Sequence, residues 1–235
     1  MVTQHISQPG PAALPRVRIA VPSWFHALPM HRDPDERRRA LFALAARMLP
    51  HGGPDQRRAL AAWYDRQAVE LSRYPVLYHG FSCLTAGGKV SMSSLLVGLE
   101  PGDDLNPPDA VRRLVARFDQ ATGPYQQVRE YALPCGPAVV VLSGGAAPIP
   151  TRLGPGPDRA GLDRDSGVPG PNGSGSASER AVMPVAQAQA IVPMPGVPWL
   201  LVVRLTTPSL ADWAEYCQVL VSLLRSVRFE QPVAA

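Results

Sequence analysis

Residues 76–99 read VLYHGFSCLTAGGKVSMSSLLVGL, and this stretch decides the fold. Residues 76–84 and 90–99 are rich in strand-forming side chains, and a Thr-Ala-Gly-Gly turn joins them at residues 85–88. Glycine tolerates the positive φ that a tight turn requires. The pattern therefore predicts a β-hairpin, whose two strands pair antiparallel.

Helix and strand signals alternate along the rest of the chain. Asp33, with Pro34 and Glu36 after it, is typical of a helix N-terminus, and Pro54 begins a second helix that ends before Pro75. The other predicted elements are a third helix opening at residues 106–109, a closing helix opening at residues 207–212, and strands at residues 16–20, 125–133, 138–142, 182–192 and 199–205.

Apolar residues recur in the predicted helices at the spacing of one helix face. Amphipathic helices of this kind must cover the antiparallel sheet, so the predicted fold is α+β, with the sheet flanked by helices in an α/β/α sandwich. The stripes expected to face the sheet are Leu41, Leu44, Ala45 and Met48 in the first helix, Leu60, Trp63, Tyr64, Ala68 and Leu71 in the second, Val111, Leu114, Val115 and Phe118 in the third, and Trp213, Cys217, Leu220, Val221, Leu224 and Val227 in the closing helix.

One long stretch interrupts this domain. Between residues 144 and 180, 15 of 37 residues are Gly or Pro and none is aromatic, so the stretch has too little apolar surface to offset its ordering entropy. We expect a long flexible Gly/Pro-rich loop there, beginning at Gly144-Gly145. The predicted organisation is a disordered leader at residues 1–15, a single α+β domain at residues 16–230 and a tail at residues 231–235.

Composition limits the function classes. The chain has 235 residues, 46% of them apolar, with a formal net charge of +4 and a sequence pI of about 9.2. Its basic residues are spread along the chain and balanced by 19 acidic ones, so nucleic-acid binding is not expected. We find neither the pattern of a secretory signal nor an apolar run near the roughly 20 residues that span a membrane. The expected location is the cytoplasm.

The motifs of common catalytic and cofactor sites are missing from the sequence. No phosphate-binding or dinucleotide-binding glycine motif is present, and Ser143 lacks half of the pattern of a nucleophile elbow. Neither the cysteines nor the histidines have metal-ligand spacing, although His79 and Cys83 would share a strand face. We therefore predict no catalytic residue, no metal site and no cofactor. The residues considered were Cys83, Cys135 and Cys217, with His5, His26, His31, His51 and His79.

The C-terminal part of the chain has the form of a known family. Residues 192–203 read VPMPGVPWLLVV, and Thr206-Thr207-Pro208 then leads into a helix that continues through residues 225–229, RSVRF. This arrangement resembles uncharacterised actinobacterial proteins with the α/β/α sandwich shared by PsbP and DcrB. The resemblance in element order covers residues 16–230 apart from the predicted loop. It implies a binding or adaptor role, because members of that superfamily mostly bind other proteins, and it carries over no catalytic residues.

Two features of the sequence are candidate partner-binding sites. The first is a basic cluster on the first two helices, which includes Arg38, Arg57 and Arg58 and could bind an anionic partner, or form a solvated surface paired with neighbouring acids. The second is Trp199, which could be an exposed interface anchor or pack on the closing helix near Trp213.

These observations support three functional hypotheses. The leading one is a non-enzymatic cytoplasmic domain that binds another protein as an adaptor, chaperone or assembly component. The second is a small-molecule-binding domain or cryptic enzyme with a cleft between the sheet and the two N-terminal helices, near His26, His79 or Cys83. The third is a weak binder of anionic surfaces through the arginine-rich helices.

Overall fold

A computed structural model describes residues 3–6, 16–86, 89–103, 105–120, 126–148 and 182–230 of the chain. These residues contain ten strands and four α-helices. The strands are β1 Thr3–Ile6, β2 Arg16–Pro22, β3 His26–Ala27, β4 Val76–Ala86, β5 Lys89–Pro101, β6 Gln126–Leu133, β7 Gly136–Pro148, β8 Val182–Pro193, β9 Trp199–Thr207 and β10 Arg228–Glu230. The helices are α1 Pro34–Met48, α2 Pro54–Leu71, α3 Pro107–Gln120 and α4 Trp213–Ser226, and a 3₁₀ turn at Leu210–Asp212 precedes α4.

The main sheet has seven strands in the order β3-β4-β5-β9-β8-β7-β6. Each neighbouring pair in it is antiparallel, which confirms the predicted sheet type. The predicted hairpin is β4–β5, with Ala86 opposite Lys89 at its turn end. In the centre β5 pairs with β9, although more than 90 residues separate the two strands in sequence. A smaller sheet has the order β1-β2-β10.

The helix starts follow the capping signals of the sequence. The Asp33 side chain accepts hydrogen bonds from the backbone N–H groups of Asp35 and Glu36, at 2.7 and 3.4 Å. In α2 the Gln56 side chain accepts a hydrogen bond from the Gly53 N–H at 2.9 Å. All four residues of the predicted α1 stripe are buried, as expected.

One face of the main sheet, called here the first face, is covered by α4 and by β2. Side chains that alternate along β5, β8 and β9 pack there against α4, and Val17, Ile19 and Val21 of β2 join the same apolar cluster. Burial of this continuous apolar surface supplies most of the driving force for folding.

The opposite, second face carries the other helices. Phe81 of β4 packs against Tyr64 and Trp63 of α2, and α1 packs on α2. At the other end of the sheet, Val111 of α3 packs against Val139 and Val141 of β7. Helices therefore lie on both faces, as in the predicted α/β/α arrangement.

The predicted start of the long loop is wrong. Strand β7 continues to Pro148, and Gly144 and Gly145 pair with Ala186 and Val185 of β8. Backbone pairing to a neighbouring strand does not require large side chains, so local composition does not reveal where this strand ends. The rest of the predicted loop, residues 149–180, lies outside the described residues.

Both chain ends contain strands that the sequence analysis missed. Thr3–Ile6, within the predicted disordered leader, pairs with β2 as β1. Arg228 and Phe229, predicted as the end of the closing helix, instead belong to β10, which pairs with Arg16–Arg18. Both pairings are long-range contacts, which no local pattern signals. The remainder of the leader and the tail at residues 231–235 lie outside the described residues.

The buried stripe of α4 differs from the prediction. Val221 is 46% exposed, and Cys217 is only half-buried. Tyr216 faces the core instead, and its hydroxyl group forms a 2.8 Å hydrogen bond with the Ser91 hydroxyl group. The buried face of α4 is therefore rotated from the predicted stripe, away from Cys217 and Val221 and towards Tyr216 and Leu223. The buried residues of α4 are Tyr216, Leu220, Leu223 and Leu224.

Gly80 gives a stability prediction that depends on its neighbour Tyr78. The Tyr78 ring lies over Gly80, and its hydroxyl donates a 3.0 Å hydrogen bond to the Phe25 carbonyl oxygen. A Cβ atom at residue 80 would lie 2.7 Å from two ring carbons. We expect Gly80→Ala to lower the free energy of unfolding by about 1–3 kcal/mol, as overpacked cores do.

Urea denaturation measures this loss, and Gly145→Ala is the matched control. Gly145 is also a strand glycine, but the nearest neighbour of a Cβ atom added there would be Val185 Cγ2, at 3.9 Å. We expect Gly145→Ala to leave stability nearly unchanged. Equal midpoints for the two variants would contradict the predicted clash.

Candidate functional site

The central strands are buried unequally on their two faces. On the first face, Leu95 and Val97 of β5 and Leu201, Val203 and Leu205 of β9 are all 0% exposed. On the second face of the same two strands, Leu96, Arg204 and Thr206 are half-buried, whereas Val202 is 2% exposed. The second face is therefore less covered around Leu96, Arg204 and Thr206 than at its ends, where α2 and α3 pack.

Two rows of side chains cross this part of the second face. In one row Leu96 lies opposite Arg204, which lies opposite Gln189. In the next row Ser94 lies opposite Thr206, which lies opposite Gln187. We call these six half-buried residues the open face: Ser94, Leu96, Gln187, Gln189, Arg204 and Thr206.

The strand register places the open face between the helix-covered ends of the sheet. His79 and Phe81 of β4 lie opposite Leu96 and Ser94, on the side where α2 packs. On the other side Val141 lies opposite Gln189, where α3 packs. The open face spans three adjacent strands, so its outer strands are about 10 Å apart.

Arg204 is the one charged residue of the open face. Its Nε–H donates a 3.0 Å hydrogen bond to the side-chain oxygen of Gln189. Within the part of the chain that the structure describes, no carboxylate forms an ion pair with it. A half-buried guanidinium thus has a neutral partner, and its Nη groups remain as donors.

Exposed apolar side chains border the open face along β5. Val90 and Met92 are 57% and 43% exposed and share the second face with Ser94. The backbone at Met92 is fixed by two hydrogen bonds, from its N–H to the Ser209 hydroxyl oxygen at 3.0 Å and from the Thr207 hydroxyl to its carbonyl oxygen at 2.6 Å. We call Val90 and Met92 the apolar margin.

The predicted cleft between the sheet and the N-terminal helices is an aromatic interface in the structure. The Phe81 ring centroid lies 5.6 Å from that of Trp63, 4.7 Å from that of Tyr64 and 4.5 Å from that of His79. His79 and Cys83 share the second face of β4, as the alternation predicts, and Cys83 packs against this cluster. Rings thus occupy the place where a ligand cleft was expected.

Burial shifts the pKa values of His79 and Cys83 in the directions that keep both side chains uncharged at neutral pH. It lowers the pKa of His79 to about 4, and the buried Nδ1 atom has no hydrogen-bond partner among the described residues. Burial also raises the pKa of the Cys83 thiol, which keeps it protonated. The pKa of Cys135 and that of Cys217 are raised by the same cause.

The predicted partner-binding arginines are held by local contacts. Arg38 pairs with Asp35 and Arg58 with Asp55, each one turn away on the same helix. Arg57 donates hydrogen bonds to the carbonyl oxygens of Leu49 and Pro50, at 3.1 and 2.7 Å, at the C-terminal end of α1. The pairing with neighbouring acids matches the solvated-surface alternative.

Trp199 does not join these arginines. It is half-buried and packs against the first-face cluster, whereas α1 and α2 lie on the second face. The predicted candidate residues thus occupy separate surfaces. Whether any of them contacts a partner stays a prediction.

The sequence analysis missed Arg204, although a signal was present. Residues 200–205 read LLVVRL, an apolar run with one charged residue. A charge in the middle of a central strand is unusual, because lysine, arginine and the acids are rarely buried without a partner. The missing information was which face it occupies and what lies opposite, and both depend on pairing with β5 and β8.

The chain matches no family model, no curated protein and no solved structure. The resemblance to the PsbP and DcrB sandwich therefore stays a prediction. Among the described residues, no group of three or more His, Cys, Asp or Glu side chains is placed to hold a metal ion. No helix in the described ranges is both long and apolar enough to cross a membrane.

Proposed function

We propose that this chain is a non-enzymatic protein-binding domain and that the open face is its contact surface. The observation that carries the proposal is the half-covered second face of β5, β9 and β8, with the guanidinium of Arg204 at its centre. Among the described residues, this partly desolvated cation has no ionic partner. A second protein can complete that contact.

The composition of the surface suits a protein partner. Arginine and methionine are enriched at protein interfaces, and here Arg204 and Met92 lie on the same sheet face. The open face is a shallow surface of three strands, and α2 and α3 cover the parts of the sheet on either side of it. A shallow surface fits a helix or an extended segment better than a small molecule, which binds in concave pockets.

The groups with nucleophile or base chemistry nearby do not suggest a reaction. His79 is neutral at physiological pH, because burial lowers its pKa to about 4, and burial raises the pKa of the Cys83 thiol. Both are packed beside aromatic rings of the sheet–helix interface. Both groups are therefore uncharged at neutral pH, and an uncharged thiol is a weak nucleophile.

Affinity capture from native lysate, quantified by mass spectrometry, tests the proposal. The baits are the wild-type chain, Arg204→Gln and the matched control Arg225→Gln. Both variants remove one positive charge, but Arg225 is an exposed residue of α4, on the opposite side of the sheet. Thermal unfolding of each bait establishes that it is folded.

We expect the wild-type chain and Arg225→Gln to retain the same proteins, and Arg204→Gln to lose at least one of them by about tenfold or more. A charged hydrogen bond of about 1.5–3 kcal/mol corresponds to that change. Identical retention by all three baits, or no specific protein on any of them, would overturn the proposal.

A further inference from the structure

We infer that the open face recognises an acidic segment of its protein partner, with Arg204 and Gln189 together holding a carboxylate. This inference rests on the proposed function and names the chemistry of the partner. It follows from the hydrogen-bonding groups of the open face, from its charge and from the apolar margin beside it.

Arg204 is arranged to bind a further anionic group. Its Nε–H is occupied by Gln189, at 3.0 Å, which fixes the plane of the guanidinium while the Nη groups remain as donors. A guanidinium binds carboxylates through two parallel N–H bonds, with favourable geometry as well as charge. Leaving a half-buried cation without an anion is unfavourable, so an added carboxylate gains from the existing desolvation.

Gln189 adds a second donor at the same place. A guanidinium can only donate hydrogen bonds, so Gln189 must direct its oxygen towards Arg204. Its amide nitrogen is then left as a donor beside the arginine. The centre of the open face consequently offers N–H groups from two side chains, and these groups complement an acceptor such as a carboxylate.

The three strands of the open face carry no acidic residue close enough to form an ion pair with Arg204. None of the six open-face residues is acidic. Glu100, the acidic residue of β5 on this face, pairs with Leu200 and is four residues beyond Leu96. That separation is about 13 Å along a strand, well beyond an ion pair. The net charge of +4 also favours approach of an acidic partner.

The apolar margin limits which acidic segments of a partner would fit the surface. Val90 and Met92 remain 57% and 43% exposed a short distance along β5 from Ser94. A segment with apolar side chains next to its carboxylates would cover both parts of the surface. We therefore expect an acidic segment interspersed with residues such as leucine, rather than a uniformly charged one.

Fluorescence anisotropy with a defined peptide tests the inference. The probe is fluorescein-labelled Ser-Glu-Leu-Glu-Ser-Glu-Leu-Glu-Ser, and the comparison peptide has glutamine in place of each glutamate. Titrations use the full-length wild-type chain, Arg204→Gln, Arg204→Lys and Arg225→Gln. We expect saturable binding of the acidic peptide to the wild type and much weaker binding of the glutamine peptide.

The variants separate a specific contact from general charge attraction. Arg204→Gln should raise the dissociation constant of the acidic peptide about ten- to hundredfold, and Arg225→Gln less than about twofold. Arg204→Lys keeps the charge but loses the planar fork, so its dissociation constant should lie between the wild-type value and that of Arg204→Gln.

Three outcomes would overturn the inference: no saturable binding to the wild type, equal weakening by Arg204→Gln and Arg225→Gln, or displacement of the peptide by phosphate at a matching concentration. The last would assign the site to a small anion. If one of these occurs while lysate capture still depends on Arg204, the proposed function stands and the acidic-segment inference falls. If neither experiment depends on Arg204, both are wrong.

Discussion

Replacing Phe81 with alanine is expected to lower the free energy of unfolding by about 3–5 kcal/mol, the range for large aromatic residues removed from a core. Phe81 is 8% exposed, and it is the strand residue on which α2 packs through Trp63 and Tyr64. The truncation removes these ring contacts and leaves a cavity between the helix pair and the sheet. Urea denaturation followed by far-UV circular dichroism measures the loss.

Two further variants test whether the loss comes from this packing. Phe81→Leu retains much of the apolar volume and should cost clearly less than the alanine variant. Tyr131→Ala removes an aromatic ring that is 46% exposed on the edge strand β6, and it should change stability by less than about 0.5 kcal/mol. If Phe81→Ala is no less stable than Tyr131→Ala, the helix pair does not depend on this contact.

The second large expected effect is a loss of folding stability as the pH falls. Burial lowers the pKa of His79 from 6.5 to about 4, because the charged imidazolium loses its hydration there. As pH falls from about 6.5 to 4, the unfolded chain takes up a proton on this imidazole and the folded chain does not. Protonation therefore favours the unfolded state, and stability is lost across this window. At 1.36 kcal/mol per pKa unit, the loss is about 3 kcal/mol by pH 4.

Comparison with His79→Leu isolates this contribution from that of the carboxylates. The free energy of unfolding is measured between pH 7.5 and 4 for both proteins, and the wild type should lose about 3 kcal/mol more than the variant as the pH falls. His51→Leu removes an exposed histidine from the connection between α1 and α2, and its profile should follow that of the wild type. Parallel profiles for the wild type and His79→Leu would show that His79 is not held neutral in the folded state.

Sequence patterns predicted those elements whose signals are local. The Asp33 cap, the prolines at the helix starts and the strand-forming residues of the β4–β5 hairpin each act within a few residues. The end of β7 was missed, because Gly144 and Gly145 pair through their backbone with β8. Strands β1 and β10 were missed for the same kind of reason, since their pairing with β2 leaves no local signal in the sequence.

For the candidate site too, local sequence signals indicated some residues, and only long-range strand pairing revealed others. From the sequence, Trp199 and the arginines of α1 and α2 were the reasonable candidates, because surface tryptophan and clustered charge are common at interfaces. The structure pairs Arg38 and Arg58 with neighbouring acids and packs Trp199 on the first-face cluster. Arg204 became a candidate only when the strand register placed it beside Gln189 on a face that the helices leave half-covered.

The sequence by itself determined the helices, most strands and the antiparallel hairpin, because capping, proline geometry and side-chain periodicity act over a few neighbouring residues. Only the tertiary structure decided that β9 lies between β5 and β8, and with it which side chains meet on the open face. A strand offers the same backbone hydrogen bonds to any partner. Its register is therefore set by how its two faces are buried against elements elsewhere in the chain.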